Sequence, residues 1–175
     1  LFNLGIAAIY QEFNLVTSLT ISDNIFLGQE VQRGPLLDYQ QMNETVRDLL
    51  EQLGFPLEPT AVISNLSVAE QQIVEITKAL SHDVRLLIMD EPTAPLTPAE
   101  VSRLFDLIDS LKRQGVTIIY ISHRLEEALS IADRITVLRD GRLIQTLQAA
   151  DTDRKELISL MVGRKLGQEY PQRDN

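Results

Sequence analysis

The chain has 175 residues, enough for one ordinary globular domain, and its formal net charge is −9. Its 44% hydrophobic and 23% charged residues are typical of a folded globular domain rather than of a disordered chain. The negative charge and the absence of Trp argue against a surface that binds nucleic acid or an anionic membrane. Cysteine is absent, which excludes disulfides and thiolate chemistry.

Three short apolar segments predict the buried strands of a parallel sheet. They run from Ile6 to Tyr10, from Val84 to Met89 and from Val116 to Ile121. None of them alternates with polar residues, as expected of a sheet that is covered on both faces. Because Leu1 leads at once into an interior type of strand, we expect the chain to begin inside a longer domain.

The segment between the second and third strands predicts a well-capped helix. Thr97 is the expected N-cap, Pro98 occupies the first helical position, and Glu100 completes a capping box. Apolar residues then recur at helical spacing until Gly115 ends the helix. A strand, a helix and a strand in this order form a βαβ unit, so the sequence predicts an α/β fold.

The region from about residue 14 to 80 predicts a mainly helical insertion in the sheet domain. One helix should end at Gly54, and a second should start near Ser67. Further along, two apolar segments flank Asp140 and Gly141, which is a strong signal for a two-residue hairpin. A last helix should precede a polar tail, so we expect one domain over residues 1–163 and a linker over residues 164–175.

Two adjacent carboxylates follow the second predicted strand. Asp90 and Glu91 should lie at the carboxyl edge of the sheet, where α/β folds bind their ligands. One carboxylate there can hold Mg²⁺, and the other can polarise an attacking water molecule. Alternatively, these residues only end a strand and open a loop, and on local grounds the two interpretations are about equally supported.

Four further residues are candidates for the same chemistry. His123 follows the third strand, so it should lie beside the edge that carries Asp90 and contact a phosphoryl group. Ser67 and Glu70 match a capping box, which explains them structurally, although a helix N-terminus also binds anions. Gln11 follows the first strand and could coordinate a metal ion, but it could equally be a turn residue.

Taken in order, these segments resemble the motifs of ABC ATPases. Tyr10 to Glu12 matches the Q-loop, and Leu66 to Glu70 matches the signature usually written LSGGQ. Met89 to Thr93 matches Walker B with its catalytic glutamate, and Ser122-His123 matches the switch histidine. The resemblance spans nearly the whole chain and implies a P-loop NTPase fold of the ABC type, with a mainly parallel sheet and a helical subdomain.

The similarity is greatest to the ATP-binding subunits of bacterial monosaccharide importers of the ribose, xylose, arabinose and galactose type. Such subunits carry two ATPase domains in tandem, and this chain resembles the first of them. The resemblance implies an enzyme that binds ATP and Mg²⁺ at the cytoplasmic face of the inner membrane. Its implied partners are the permease, the second ATPase domain and, indirectly, a periplasmic sugar-binding protein, with no nucleic acid among them.

The resemblance also implies a role for each motif residue. Gln11 and Asp90 would bind Mg²⁺, Glu91 would act as the general base, and His123 would contact the γ-phosphate. Ser67 and the backbone around Ala69, with Glu70 beside them, would meet the γ-phosphate of an ATP molecule bound on the opposing domain.

The sequence departs from the family pattern at three points. None of its glycines is followed by lysine, so the phosphate-binding Walker A loop is absent, and we expect no Mg-ATP turnover by this chain alone. Glu70 replaces the usual signature glutamine, and its charge should repel a phosphate unless the side chain folds back onto the capping box. Pro95 stiffens the segment after Walker B.

Three alternatives remain open. ATPases of chromosome maintenance and DNA repair carry long coiled coils between the Q-loop and the signature, whereas only about 55 residues separate these motifs here. The translation-factor branch is normally basic, unlike this chain. A degenerate fragment that serves only as an interaction module is the third alternative, although the joint presence of Asp90, Glu91 and His123 argues against long decay.

Overall fold

A computed structural model of the chain describes residues 4–10 and 12–163. The chain divides into two compact units, residues 1–121 and residues 122–175. Gln11 and the predicted linker over residues 164–175 lie outside the described residues.

A parallel sheet of three strands forms the centre of the first unit. Its strands are β1 (Ile6–Ile9), β4 (Leu86–Asp90) and β5 (Thr117–Ile121), in the order β1-β4-β5. Ile9 is in register with Met89, and Asp90 is in register with Ile121. The predicted α/β fold and its parallel strands are therefore confirmed, with strand limits within two residues of those expected.

The third strand is less buried than its sequence predicts. Ile119 and Ile121 are 46% and 47% exposed, whereas their register partners in β4, Ile88 and Asp90, are only partly exposed. The exposed residues lie on one face of β5, which the described part of the chain leaves uncovered. The expectation that this strand is covered on both faces was wrong.

In the part of the chain that the structure describes, three α-helices lie between β1 and β4. They are α1 (Ile21–Ile25), α2 (Tyr39–Gln52) and α3 (Val68–Leu80), with a small hairpin of β2 (Gln32–Arg33) and β3 (Leu36–Leu37) before α2. Met42, Val46 and Leu50 form the buried stripe of α2. Gly54, with φ of 77°, follows the end of that helix in the left-handed region that glycine adopts readily.

Helix α4 (Pro98–Arg113) connects β4 to β5, as the capping signals predict. The Thr97 hydroxyl group accepts a hydrogen bond from the backbone of Glu100, and the Glu100 carboxylate accepts one from the backbone of Thr97. The apolar face of the helix buries Leu104, Ile108 and Leu111. This packing completes the βαβ unit.

The second unit contains α5 (Leu125–Ile131), the hairpin of β6 (Arg134–Arg139) and β7 (Arg142–Gln148), and α6 (Arg154–Val162). Asp140 and Gly141 have φ values of 52° and 72°, which two-residue hairpin turns require. Arg154 of α6 forms an ion pair with Glu126 of α5 at 2.6 Å. Across residues 4–10 and 12–163, no helix has both the length and the apolar character needed to cross a bilayer.

Candidate active site

The carboxyl ends of the three parallel strands meet at one edge of the central sheet. Asp90 is the last residue of β4, one position beyond the Met89 that pairs with Ile9 of β1. Because Asp90 also pairs with Ile121, it lies between the ends of the two neighbouring strands. This edge is where α/β folds place ligand-binding residues, as the sequence predicts for Asp90.

The residue after Asp90 has an unusual backbone. Glu91 adopts a φ of 48°, in the left-handed region that costs residues other than glycine roughly 1–2 kcal/mol. Its N–H donates to the carbonyl of Ile121 at 2.9 Å, and its carbonyl accepts from the N–H of Ala94 at 3.2 Å. These two bonds hold the strained residue in place just beyond the strand, and strain of this kind is often found at functional sites.

The segment from Pro92 to Thr97 joins this edge to helix α4. Thr93 is almost fully buried, and its carbonyl accepts from the N–H of Leu96 at 3.1 Å. At the end of the segment, Glu100 accepts hydrogen bonds from the Thr97 backbone and hydroxyl, each at 2.8 Å. Both bonds lower the pKa of Glu100, and the bond from the Thr97 backbone has the larger effect.

Ser67, Ala69 and Glu70 form a second cluster at the N-terminus of α3. The Glu70 carboxylate accepts from the Ser67 N–H at 2.7 Å and from the Ser67 hydroxyl at 2.8 Å. The N–H of Glu70 in turn donates to the Ser67 hydroxyl oxygen at 3.3 Å. The Glu70 carboxylate therefore folds back onto the capping box. In this position its charge is directed away from an incoming phosphate, so the repulsion considered for this substitution is not expected.

His123 belongs to the second unit, where it is exposed and lies two residues before α5. Its neighbours form a small network of polar groups. The Ser122 hydroxyl accepts from the N–H of Arg124 at 2.9 Å, and the Arg124 guanidinium pairs with Glu127 at 3.1 Å. The structure thus joins Asp90 to Glu91 and Ser67 to Glu70 within the first unit, whereas His123 belongs to the second unit.

The donor groups at the sheet edge fit a magnesium ion. Mg²⁺ in nucleotide sites is usually held by one or two carboxylates together with phosphate oxygens and water, and Asp90 offers a carboxylate at that edge. No group of three or more His, Cys, Asp or Glu suited to a metal ion occurs among the described residues. The Asp90 carboxylate fits Mg²⁺ as one ligand beside phosphate oxygens and water.

Two residues of α3 that the sequence did not single out also contact the loop that follows β1. The Asn14 N–H donates to Glu75 Oε1 at 2.5 Å, and Lys78 Nζ donates to the Asn14 carbonyl at 3.1 Å. Burial raises the pKa of Glu75, against the opposing effects of the Asn14 bond and of Lys78. A single carboxylate between Val74 and Ile76 was the signal in the sequence that could have identified this position.

A sequence profile of the family described as ABC transporter matches residues 1–94. The chain is 45% identical to the ribose import ATP-binding protein RbsA of Geobacillus kaustophilus, over 97% of this chain and 35% of that protein. It is 50% identical to a Burkholderia ambifaria protein provisionally named ribose/galactose/methyl galactoside import ATP-binding protein 1, over 97% of this chain and 33% of that protein. The chain thus spans about a third of the length of these relatives.

Solved structures agree on the fold. A dimeric ATP-binding cassette in a post-hydrolysis state with ADP and phosphate matches 82% of this chain and 62% of its own, with a TM-score of 0.72 and 23% identity. A nucleotide-free ATP-binding cassette from an ABC transporter matches 84% of this chain and 62% of its own, with a TM-score of 0.70 and 24% identity. The fold is that of a P-loop NTPase, and the chain belongs to the ABC transporter family.

Proposed function

We propose that this chain is part of an ATP-hydrolysing subunit that drives the import of a monosaccharide through a membrane permease. The observation that carries the proposal is the Asp90-Glu91 pair at the carboxyl edge of a parallel sheet, with Glu91 held in a strained backbone conformation. The import functions in the names of its relatives supply the transport context. ATP provides the phosphoryl group, and Mg²⁺ bound to it offsets the charge that develops during transfer.

Each motif residue has a distinct part in this proposal. Asp90 binds Mg²⁺ together with Gln11, and Glu91 accepts a proton from the attacking water molecule. His123 donates a hydrogen bond to the γ-phosphate. The hydroxyl of Ser67 and the backbone N–H groups near Ala69 contact the γ-phosphate of ATP on a second ATPase domain.

A groove in the helical part of the first unit is the proposed contact with the permease. It has a volume of about 410 Å³, and it is lined by α1, α2 and the end of α3. Apolar side chains of Ile25, Val46 and Leu80 are among its lining residues, and Asp48 adds a negative charge. We propose that a short helix of the permease with a basic residue docks here, which would place the subunit peripherally at the cytoplasmic face of the inner membrane.

A chimeric importer tests the proposed function. This chain replaces the matching third of the Geobacillus ribose import protein, and Mg-ATPase activity and ribose uptake are measured in the assembled transporter. We expect activity from the chimera and a loss of at least about 100-fold when Glu91→Gln removes the general base. A folded, assembled chimera that binds Mg-ATP but does not hydrolyse it would contradict the proposal.

The groove has its own test in the same chimera. Leu49→Arg places a positive charge in the groove lining, whereas Glu44→Arg, on an exposed part of the same helix, is the matched control. We expect only Leu49→Arg to reduce co-purification of the permease. Equal co-purification by both variants would place the permease contact elsewhere.

A further inference from the structure

The loop after β1 is attached to helix α3 through both polar backbone groups of one residue. Glu75 accepts from the N–H of Asn14, and Lys78 donates to its carbonyl, although the three residues lie far apart in the sequence. Glu75 and Lys78 are three positions apart on one helix, a spacing that puts them on the same face. We call Asn14, Glu75 and Lys78 the α3 clamp.

Burial of the Glu75 carboxylate in the clamp costs free energy, and packing alone would not require a carboxylate at this position. Glu75 is only 6% exposed, and it lies in a run of buried residues that includes Ile73, Val74 and Ile76. Burying a carboxylate is unfavourable unless hydrogen bonds and charge compensate it, and an apolar residue often fills such a position at least as well. The hydrogen bond to Asn14 and the nearby positive charge of Lys78 provide that compensation.

A second attachment lies two residues further on. The Val16 N–H donates to Asn24 Oδ1 at 2.7 Å, and Asn24 Nδ2 donates to the Val16 carbonyl at 3.0 Å. Asn24 belongs to α1 and is fully buried. Residues 13–16 adopt no regular secondary structure, so side chains from two helices determine the path of the loop.

We propose that Glu75 and Lys78 are positioning residues, which hold the loop after β1 in a fixed relation to helix α3 and so link the strand end beside Asp90 to Ser67. The loop leaves the sheet at the carboxyl end of β1, whose Ile9 pairs with Met89, and Ser67 caps the N-terminal end of α3. An α-helix of 13 residues is a stiff rod of about 20 Å. A displacement of the signature end of α3 is therefore passed to the loop. The catalytic part of this inference rests on the proposed function.

Amide hydrogen exchange on the 175-residue chain tests the clamp directly. Lys78→Met removes the charge but keeps an apolar stem, Glu75→Leu removes the acceptor at similar volume, and Glu75→Gln keeps an acceptor oxygen. We expect about tenfold faster exchange at Asn14 in Lys78→Met and Glu75→Leu, with exchange in α2 unchanged. Protection in Glu75→Gln should stay near the wild-type value.

Lys155→Met, on the exposed surface of α6, is the control for loss of a lysine charge and should leave exchange at Asn14 unchanged. Unchanged exchange at Asn14 in both Lys78→Met and Glu75→Leu would overturn the clamp. If Glu75→Leu does not fold, Lys78→Met alone tests the clamp. Lys78 is only partly buried, so we expect its replacement to leave the chain folded.

The ribose importer chimera tests the catalytic consequence. If the clamp positions the loop after β1, Lys78→Met should lower kcat about fivefold or more and change KM for ATP less than about twofold, because positioning acts mainly in the transition state. Lys155→Met should change neither constant. A wild-type kcat in Lys78→Met, despite faster exchange at Asn14, would overturn the positioning role. An inactive parent chimera would instead count against the proposed function and leave the exchange result standing.

Discussion

The carboxylate of Glu70 accepts hydrogen bonds from both the N–H and the hydroxyl group of Ser67, at 2.7 and 2.8 Å. Both donors that the signature serine could offer to a phosphate are therefore engaged within the chain. A phosphate that binds there must displace the carboxylate or share its donors. The helix cap and the proposed phosphate contact are formed by the same atoms, so stability and activity should respond to the same substitutions.

Ser67→Ala should lower the free energy of unfolding by about 1 kcal/mol, which is typical for the loss of an N-cap side chain. Thr97→Ala is the matched comparison, because Thr97 and Glu100 form the same pattern of bonds at the start of α4. We expect similar losses of stability in urea unfolding of the two variants. Only Ser67→Ala should also lower ATPase activity in the chimera, and an equal loss of activity in Thr97→Ala would contradict a specific role for Ser67.

Glu70→Gln should raise ATPase activity in the chimera. A neutral amide accepts hydrogen bonds from Ser67 more weakly than a carboxylate does, so it releases these donors to an incoming phosphate more readily. We expect the effect mainly as a lower KM for ATP. Glu100→Gln weakens an equivalent cap and should leave KM unchanged. Activity that stays the same or falls in Glu70→Gln would show that competition for the Ser67 donors is not important there.

Replacement of Glu91 by glycine and by alanine should give different stabilities. Both changes remove the carboxylate, but only glycine adopts a φ of 48° without strain. After allowance for the greater flexibility of glycine in the unfolded chain, Glu91→Gly should be more stable than Glu91→Ala by about 0.5–1 kcal/mol. Urea unfolding of the two variants measures the difference. Equal stabilities would mean that the backbone at this position is not strained.

Glu75 and Glu100 should make opposite contributions to the pH dependence of stability. Burial raises the pKa of Glu75 in the folded chain, so its favourable contribution is present below the unfolded pKa and is lost as the pH rises. Hydrogen bonds from Thr97 lower the pKa of Glu100, so its contribution is present at higher pH and is lost as the pH falls.

Unfolding experiments between about pH 3 and pH 7 test this pair, with Glu75→Gln and Glu100→Gln each compared with the wild type. The stability of the wild type relative to Glu75→Gln should decrease as the pH rises. The stability of the wild type relative to Glu100→Gln should instead increase as the pH rises. Slopes of the same sign would contradict one of the two pKa directions.

Local patterns in the sequence were sufficient for most of the secondary structure. The apolar strand that ends at Asp90 and the capped helix that starts after Thr97 depend on neighbouring residues, so their sequence identifies them directly. The hairpin of β2 and β3 was not predicted, because strands of two residues are too short to show a period. The exposure of Ile119 was also missed, since it depends on what covers that face of β5 in the folded chain.

The same distinction between local patterns and distant contacts applies to the candidate site. Motif residues such as Asp90, Glu91 and Ser67 lie at the element ends where the sequence predicts them. The clamp could not be predicted, because Asn14 and Glu75 are 61 positions apart and meet only in the folded chain. Contacts between distant segments leave no periodic pattern, and a lone buried carboxylate is the sole trace of this one in the sequence.

The backbone of Glu91 limits how this edge of the sheet can be stabilised by substitution. At a φ of 48°, glycine is the residue that would adopt the backbone without strain. In the proposed function, the same replacement removes the carboxylate that acts as the general base. A variant chosen for stability at this position would therefore lose the proposed chemistry.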